Sequence, residues 1–120
     1  MTRLLRYTLV GAIATTAHYA LLVLCVEAGG WPAWLGSGFG AVVGAQVGYL
    51  GNRRFTFLYR GDVGASWLKF QSTALFGALL GMLIVGGGVR IGWHYLVAQV
   101  VATLTVLLLT FAINRAWTFR

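Results

Sequence analysis

The chain has 120 residues, of which 59% are hydrophobic and 9% charged, with a mean hydropathy of +0.82. That leaves too little polar surface to coat a water-soluble globule of this size, so composition alone points to an integral membrane protein. A net charge of +7 would suit nucleic acid in a soluble domain, but the basic residues cluster beside apolar runs, where anionic lipid headgroups meet them, and no nucleic-acid partner is expected.

Residues 1–6 make a short basic leader with Arg3 and Arg6, and residues 7–26 carry no formal charge. At a rise of about 1.5 Å per residue this run spans the roughly 30 Å hydrocarbon core. It is longer than the apolar region of a secretory signal and is read as helix one. Glu27, Gly29, Gly30 and Pro32 predict a turn, since paired glycines and a proline break the helix and the carboxylate seeks water. The single cysteine, Cys25, has no disulfide partner and no ligand cluster, and reads as a small lipid-facing or packing residue.

Helix two is expected over about 34–51, with Gly36, Gly40, Gly44 and Gly48 along one face. Without side chains there, another helix can approach backbone to backbone, as helices do in lipid. Gln46 lies roughly 200° round from Gly44 and is expected to meet a second protein or wet surface. Residues 52–69 read as a polar, basic loop holding Arg53, Arg54, Arg60, Asp62 and Lys69, with Gly61 and Gly64 as breakers. Helix three follows over about 70–89, with Gly77 and Gly81 repeating the small-residue spacing and Gly86-Gly87-Gly88 loosening its end. Arg90 and His94 mark a water-facing turn, and helix four runs over about 95–113 without a glycine.

The even helices close alike. Asn52-Arg53-Arg54-Phe55-Thr56-Phe57 returns 62 residues later as Asn114-Arg115-Ala116-Trp117-Thr118-Phe119, which predicts two tandem copies of one two-helix unit. Repeat one covers about 3–57 and repeat two about 67–119 of a single domain. The same alignment pairs Ser37 with Gln99, and sets Arg6-Tyr7 against Lys69-Phe70 one residue out of step. Eight basic residues (Arg3, Arg6, Arg53, Arg54, Arg60, Lys69, Arg115 and Arg120) fall on one side of a four-helix hairpin pair and only Arg90 on the other. The positive-inside rule then makes both termini and the central loop cytoplasmic. The expectation is an all-α protein of the inner (plasma) membrane with four transmembrane helices, its halves related by an axis along the membrane normal.

These features, from Arg6-Tyr7 and Val10-Gly11 through both Asn-Arg-x-aromatic-Thr-Phe copies, resemble the GtrA-like family of small four-helix membrane proteins. The chain departs from the family pattern at Ser37 and Gln99, where an Asn is common, and at Ala116, where a second basic residue is usual. The resemblance implies a role in cell-surface polysaccharide or glycolipid synthesis, with a polyprenyl-phosphate-linked sugar as the substrate moved across the membrane and a polyprenyl-phosphate glycosyltransferase as partner.

For such a substrate, Arg53, Arg54 and Arg115 supply forked donors suited to phosphate. The competing reading makes them snorkelling anchors within the aromatic belt. Asn52 and Asn114 fit the caps of the even helices, by meeting free carbonyls or adopting the left-handed turn, or join the phosphate directly. Gln99, Thr103, Thr110 and Asn114 form a polar stripe on helix four, and Thr8, Gly11, Thr15 and His18 one on helix one. With Gln46 these groups suit a polar path, because sugar hydroxyls cannot enter hydrocarbon unpaired; as simple packing residues, Gln and Thr would instead bond helix to helix.

Glu27 and Asp62 are expected on opposite sides of the membrane, which excludes paired acid-base chemistry, and His18 and His94 lack companion metal ligands. No enzyme activity, cofactor or metal is expected. A proton-coupled drug exporter would need a carboxylate inside helix one, and a dual-topology channel would lack the Lys/Arg asymmetry. An accessory subunit that anchors or stabilises a glycosyltransferase stays open beside translocation. Four helices barely surround a sugar headgroup, so a homodimer or a complex with the transferase is expected.

Overall fold

The computed structural model describes residues 2–56 and 63–113, with side chains described except at 3, 4, 56, 63–66 and 110–113. Arg60, Asp62 and the whole second signature from Asn114 therefore lie outside the described residues. Among these residues every element is helical. Helix α1 (Arg3–Val23) runs into a π-helical turn (Leu24–Ala28), α2 (Ala33–Gly51) runs into another (Asn52–Thr56), and α3 (Val63–Arg90) and α4 (Tyr95–Ile113) follow. The molecule measures 44 × 31 × 27 Å; its long axis matches α3, whose 28 residues at about 1.5 Å each reach about 42 Å.

The chain ends of these helices are set by local chemistry. Thr2 caps α1, its hydroxyl accepting from the Leu5 amide at 3.2 Å, so the basic leader is helical and not a separate segment. Between α1 and α2 the Trp31 amide donates to the Cys25 carbonyl at 3.0 Å, and Pro32 starts α2 by accepting from the amides of Leu35 and Gly36. Gly30 takes a φ of 67° in this turn, and Gly92 a φ of 99° in the turn before α4, values that a side chain would oppose. His94 opens α4, its Nδ1 accepting from the Leu96 amide at 3.2 Å.

Two expectations are corrected, and a third, the cap at Asn52, is narrowed to one of its two forms. Helix three begins at Val63 and takes in Gly64 and Lys69, so the polar segment is partly helical; long basic and aromatic side chains reach water from a helical backbone, and polarity alone does not mark a loop. The glycines at 86–88 do not loosen the helix, which continues to Arg90, and a Cβ at Gly88 would lie 2.8 Å from the Ala98 methyl, so the missing side chain admits α4. Asn52 has φ −68° and ψ −39°. It is right-handed and carries α2 into the π turn, where the left-handed alternative would have stopped it.

Helix α2 stands in the middle. Its glycine face lies on α1: a Cβ at Gly40 would fall 2.6 Å from the His18 carbonyl oxygen, and one at Gly44 3.0 Å from that of Ala14. Cys25 is a packing residue, buried beside Gly36 on this contact. On another side α2 meets α3, with Gly38 against Met82 and the Tyr49 ring 5.5 Å from that of Phe70. Helix α3 in turn packs on α4 around Val85, Ala98 and Ala102. The core is small, while Leu83, Leu107 and Leu108 are 74%, 64% and 68% exposed. Such an apolar exterior fits lipid and not water. Among the described residues two helices, over Leu5–Ala28 and Trp67–Arg90, are long and apolar enough to cross a membrane, and a shorter apolar stretch covers Tyr95–Leu109.

Candidate functional site

Residues 52–56 of the first signature copy form the π turn that ends α2. Arg53 is half-buried and Arg54 exposed, and neither pairs with another described residue, so their guanidinium donors are available to an anion. Arg6, at the start of α1, reaches this turn across 49 residues of sequence. Its guanidinium donates to the Phe55 carbonyl at 3.2 Å and lies 5.2 Å from the centre of the Phe55 ring, a hydrogen bond reinforced by cation-π attraction. Sequence reasoning used Arg6 only as the basic start of a repeat. The position of Asn52 makes it the hinge between helix and turn, its amide donating to the carbonyls of Gly48 and Tyr49.

A second group of polar side chains lies near the other end of α2, about 22 Å from Asn52 at the α-helical rise for the 15 residues separating it from Ser37. Ser37 and Gln99, the two positions that the repeat aligns, touch: the Ser37 hydroxyl donates to the Gln99 side-chain carbonyl at 2.5 Å. Both are 2% exposed. Gln99 passes the network on, its amide donating to the Thr103 hydroxyl at 3.2 Å. Thr103 meets the Tyr19 hydroxyl at 2.7 Å, and His18 Nε2 lies 3.1 Å from the Ser37 carbonyl oxygen. Helices α1, α2 and α4 are thereby joined through one polar cluster, buried at Ser37 and Gln99 and half-buried at His18, Tyr19 and Thr103, in which each member has a partner, as buried polar groups require.

Of the residues singled out for a polar path, His18, Gln99 and Thr103 are brought together here. Gln46 is not. It lies nine residues beyond Ser37, which puts it about 180° round α2, and forms a reciprocal amide pair with Gln71 of α3 at 2.7 and 3.2 Å. The Thr110 side chain, Asn114 and Arg115 lie outside the described residues. Tyr19 and Gln71 were missed. Tyr19 follows Thr15 by four residues and so continues the polar face of helix one, while Gln71 is an amide inside an apolar run; both signals stand in the sequence.

The backbones of α1 and α4 do not pack closely among the described residues, in contrast to the successive pairs α1–α2, α2–α3 and α3–α4. Among the described side chains the gap is bridged by Tyr19 to Thr103, and by the Tyr95 hydroxyl to the Glu27 carboxylate at 2.8 Å. A groove lined by Thr15, Thr16, Tyr19, Ala20, Val23 and Leu24 opens beside the bridge. The arrangement offers hydroxyls at the edge of this seam, with a cationic turn at the far end of the bundle. It presents no described pair of carboxylates for proton transfer.

No curated protein and no solved structure gives a match to the chain. A family model described as GtrA/DPMS, transmembrane domain, matches residues 6–119. That span takes in α4, the polar cluster and both signature copies, and the chain belongs to this family of membrane proteins.

Proposed function

We propose that the chain translocates a polyprenyl-phosphate-linked sugar across the inner (plasma) membrane for cell-surface polysaccharide or glycolipid synthesis, breaking no bond in its substrate. The family points to polyprenyl-phosphate sugar processes. In this reading four helices cross the bilayer as two tandem repeats, with both termini and the 52–69 segment in the cytoplasm. The greasy tail stays in hydrocarbon throughout, and only the head needs a path. Arg53, Arg54 and Arg115, with Asn52 and Asn114, receive the phosphate at the cytoplasmic face, where Arg offers a planar two-pronged donor. The observation that carries the proposal is the hydroxyl and amide cluster of Tyr19, Ser37, Gln99 and Thr103 beside a seam open to lipid, since sugar hydroxyls must exchange water for such groups on the way.

A second reading rests on the same cluster. Ser37, Gln99, Thr103 and Tyr19 already bond one another, as purely structural contacts would, and this favours an accessory subunit that anchors or stabilises a polyprenyl-phosphate glycosyltransferase. Under either reading that transferase is a partner, and a second copy of the chain can complete a thin bundle.

The test is Arg53→Lys with Arg115→Lys, which keeps charge and snorkelling but removes the fork. Surface glycan, normalised to protein level, should fall at least tenfold, and so should uptake of a short-chain polyprenyl-phosphate sugar by proteoliposomes, from the roughly 1.5–3 kcal/mol of a charged hydrogen bond. Parental glycan and uptake would reject the phosphate contact. Lost glycan with parental uptake would assign the arginines to the transferase.

A further inference from the structure

A separate groove of about 980 Å³ runs between the start of α2 and the end of α3, lined by apolar side chains that include Trp34, Leu79, Met82 and Leu83, with Arg90 at its end. Its floor is glycine. Nothing lies within 4 Å of the place a Cβ would take at Gly87, and at Gly86 only Trp34 does, so the groove's depth comes from two missing side chains. From Leu79 to Arg90 along α3 is about 16 Å, half of the roughly 30 Å hydrocarbon core. The groove is therefore as long as one leaflet is deep. Arg90 is exposed, forms no hydrogen bond or ion pair with a described residue, and is the lone Lys/Arg at this end of the bundle among those residues.

We infer that this groove is a binding site for one anionic glycerophospholipid, its acyl chains along Leu79, Met82 and Leu83 and its phosphate on Arg90. The length selects the occupant: a diacyl lipid fills one leaflet, whereas a polyprenyl chain long enough to span the bilayer does not end where the groove ends. The charge selects the headgroup, because one free guanidinium at the interface attracts a net negative lipid over a zwitterionic one. The glycerol and acyl carbonyls lie level with Trp34, an amphipathic ring suited to that depth. The site lies apart from the Arg53 turn and does not depend on what the chain transports.

Quenching of Trp34 fluorescence tests it. In the full chain with Trp31, Trp67, Trp93 and Trp117 changed to Phe, reconstituted in mixed vesicles, phosphatidylglycerol brominated on its acyl chains should quench Trp34 at about one fifth of the mole fraction that brominated phosphatidylcholine needs, the factor one basic residue supplies at a surface. Arg90→Gln should abolish the preference, and Gly87→Leu, which fills open space, should weaken quenching by both lipids. Neither change disturbs a described contact. Equal quenching by the two lipids in the parent, a preference that survives Arg90→Gln, or no quenching by either would overturn the proposal.

Discussion

Ser37 and Gln99 form a hydrogen bond between positions 62 residues apart, the period at which the sequence repeats. Each is small or flexible enough to meet the other between helices, and each would be costly alone, because an unpaired polar group cannot turn to water. Interhelical hydrogen bonds in membranes are worth less than this penalty suggests, about 0.6 kcal/mol on average and up to about 1.7. Ser37→Ala and Gln99→Leu, combined in a double-mutant cycle and followed by unfolding in denaturing detergent, should show a coupling of about 0.6–1.7 kcal/mol. Additive effects would mean that the two side chains do not meet in the folded protein. The spacing aligned these residues as counterparts in the repeat and showed the polar stripe through Thr103, but that the counterparts touch depends on how the helices pack and was not legible. The Tyr19 bridge was missed although Tyr19 continues the polar face four residues after Thr15, because a tyrosine there reads equally well as an interfacial anchor.

Among the elements, α2 has the most to lose from added atoms. Gly40→Ala would place a methyl 2.6 Å from the His18 carbonyl oxygen, and the helices must separate to admit it, at a cost of about 1–3 kcal/mol. Gly11→Ala, with nothing within 4 Å of the new methyl, should leave stability unchanged or slightly raised. Equal detergent-unfolding midpoints for the two variants would contradict the packing of α1 on α2. The glycine period announced this contact. Polarity misplaced the start of α3, because Lys69 and Trp67 sit on exposed turns of a helix whose interior neighbours are not adjacent in sequence. The clamp of Arg6 on Phe55 was equally invisible, since it depends on where two chain segments 49 residues apart come to lie.

At the scale of the whole molecule, the open seam between α1 and α4 separates a transporter from an inert anchor, since a head can slip in only where two helices part. The orientation proposed for the bundle predicts that reporter fusions at Arg60 and Arg120 read cytoplasmic and a fusion in the Gly29-Gly30 turn reads external; the reverse pattern would move the cationic turn to the wrong face for a cytoplasmic donor. Composition made the membrane setting legible, because 59% hydrophobic residues cannot be hidden in so small a core. It left the seam unread, as helix pairing depends on side chains that meet only after folding. The measurement that bears most directly on the central claim uses the purified chain alone in sealed vesicles holding a short-chain polyprenyl-phosphate sugar on one side. Translocation predicts that the sugar becomes accessible on the other side at least tenfold faster than in protein-free vesicles, and that Tyr19→Phe with Gln99→Leu returns the rate towards the protein-free value while the protein stays folded. A rate equal to that of protein-free vesicles, with folded and correctly oriented protein, would contradict translocation and leave the chain as a support for its transferase.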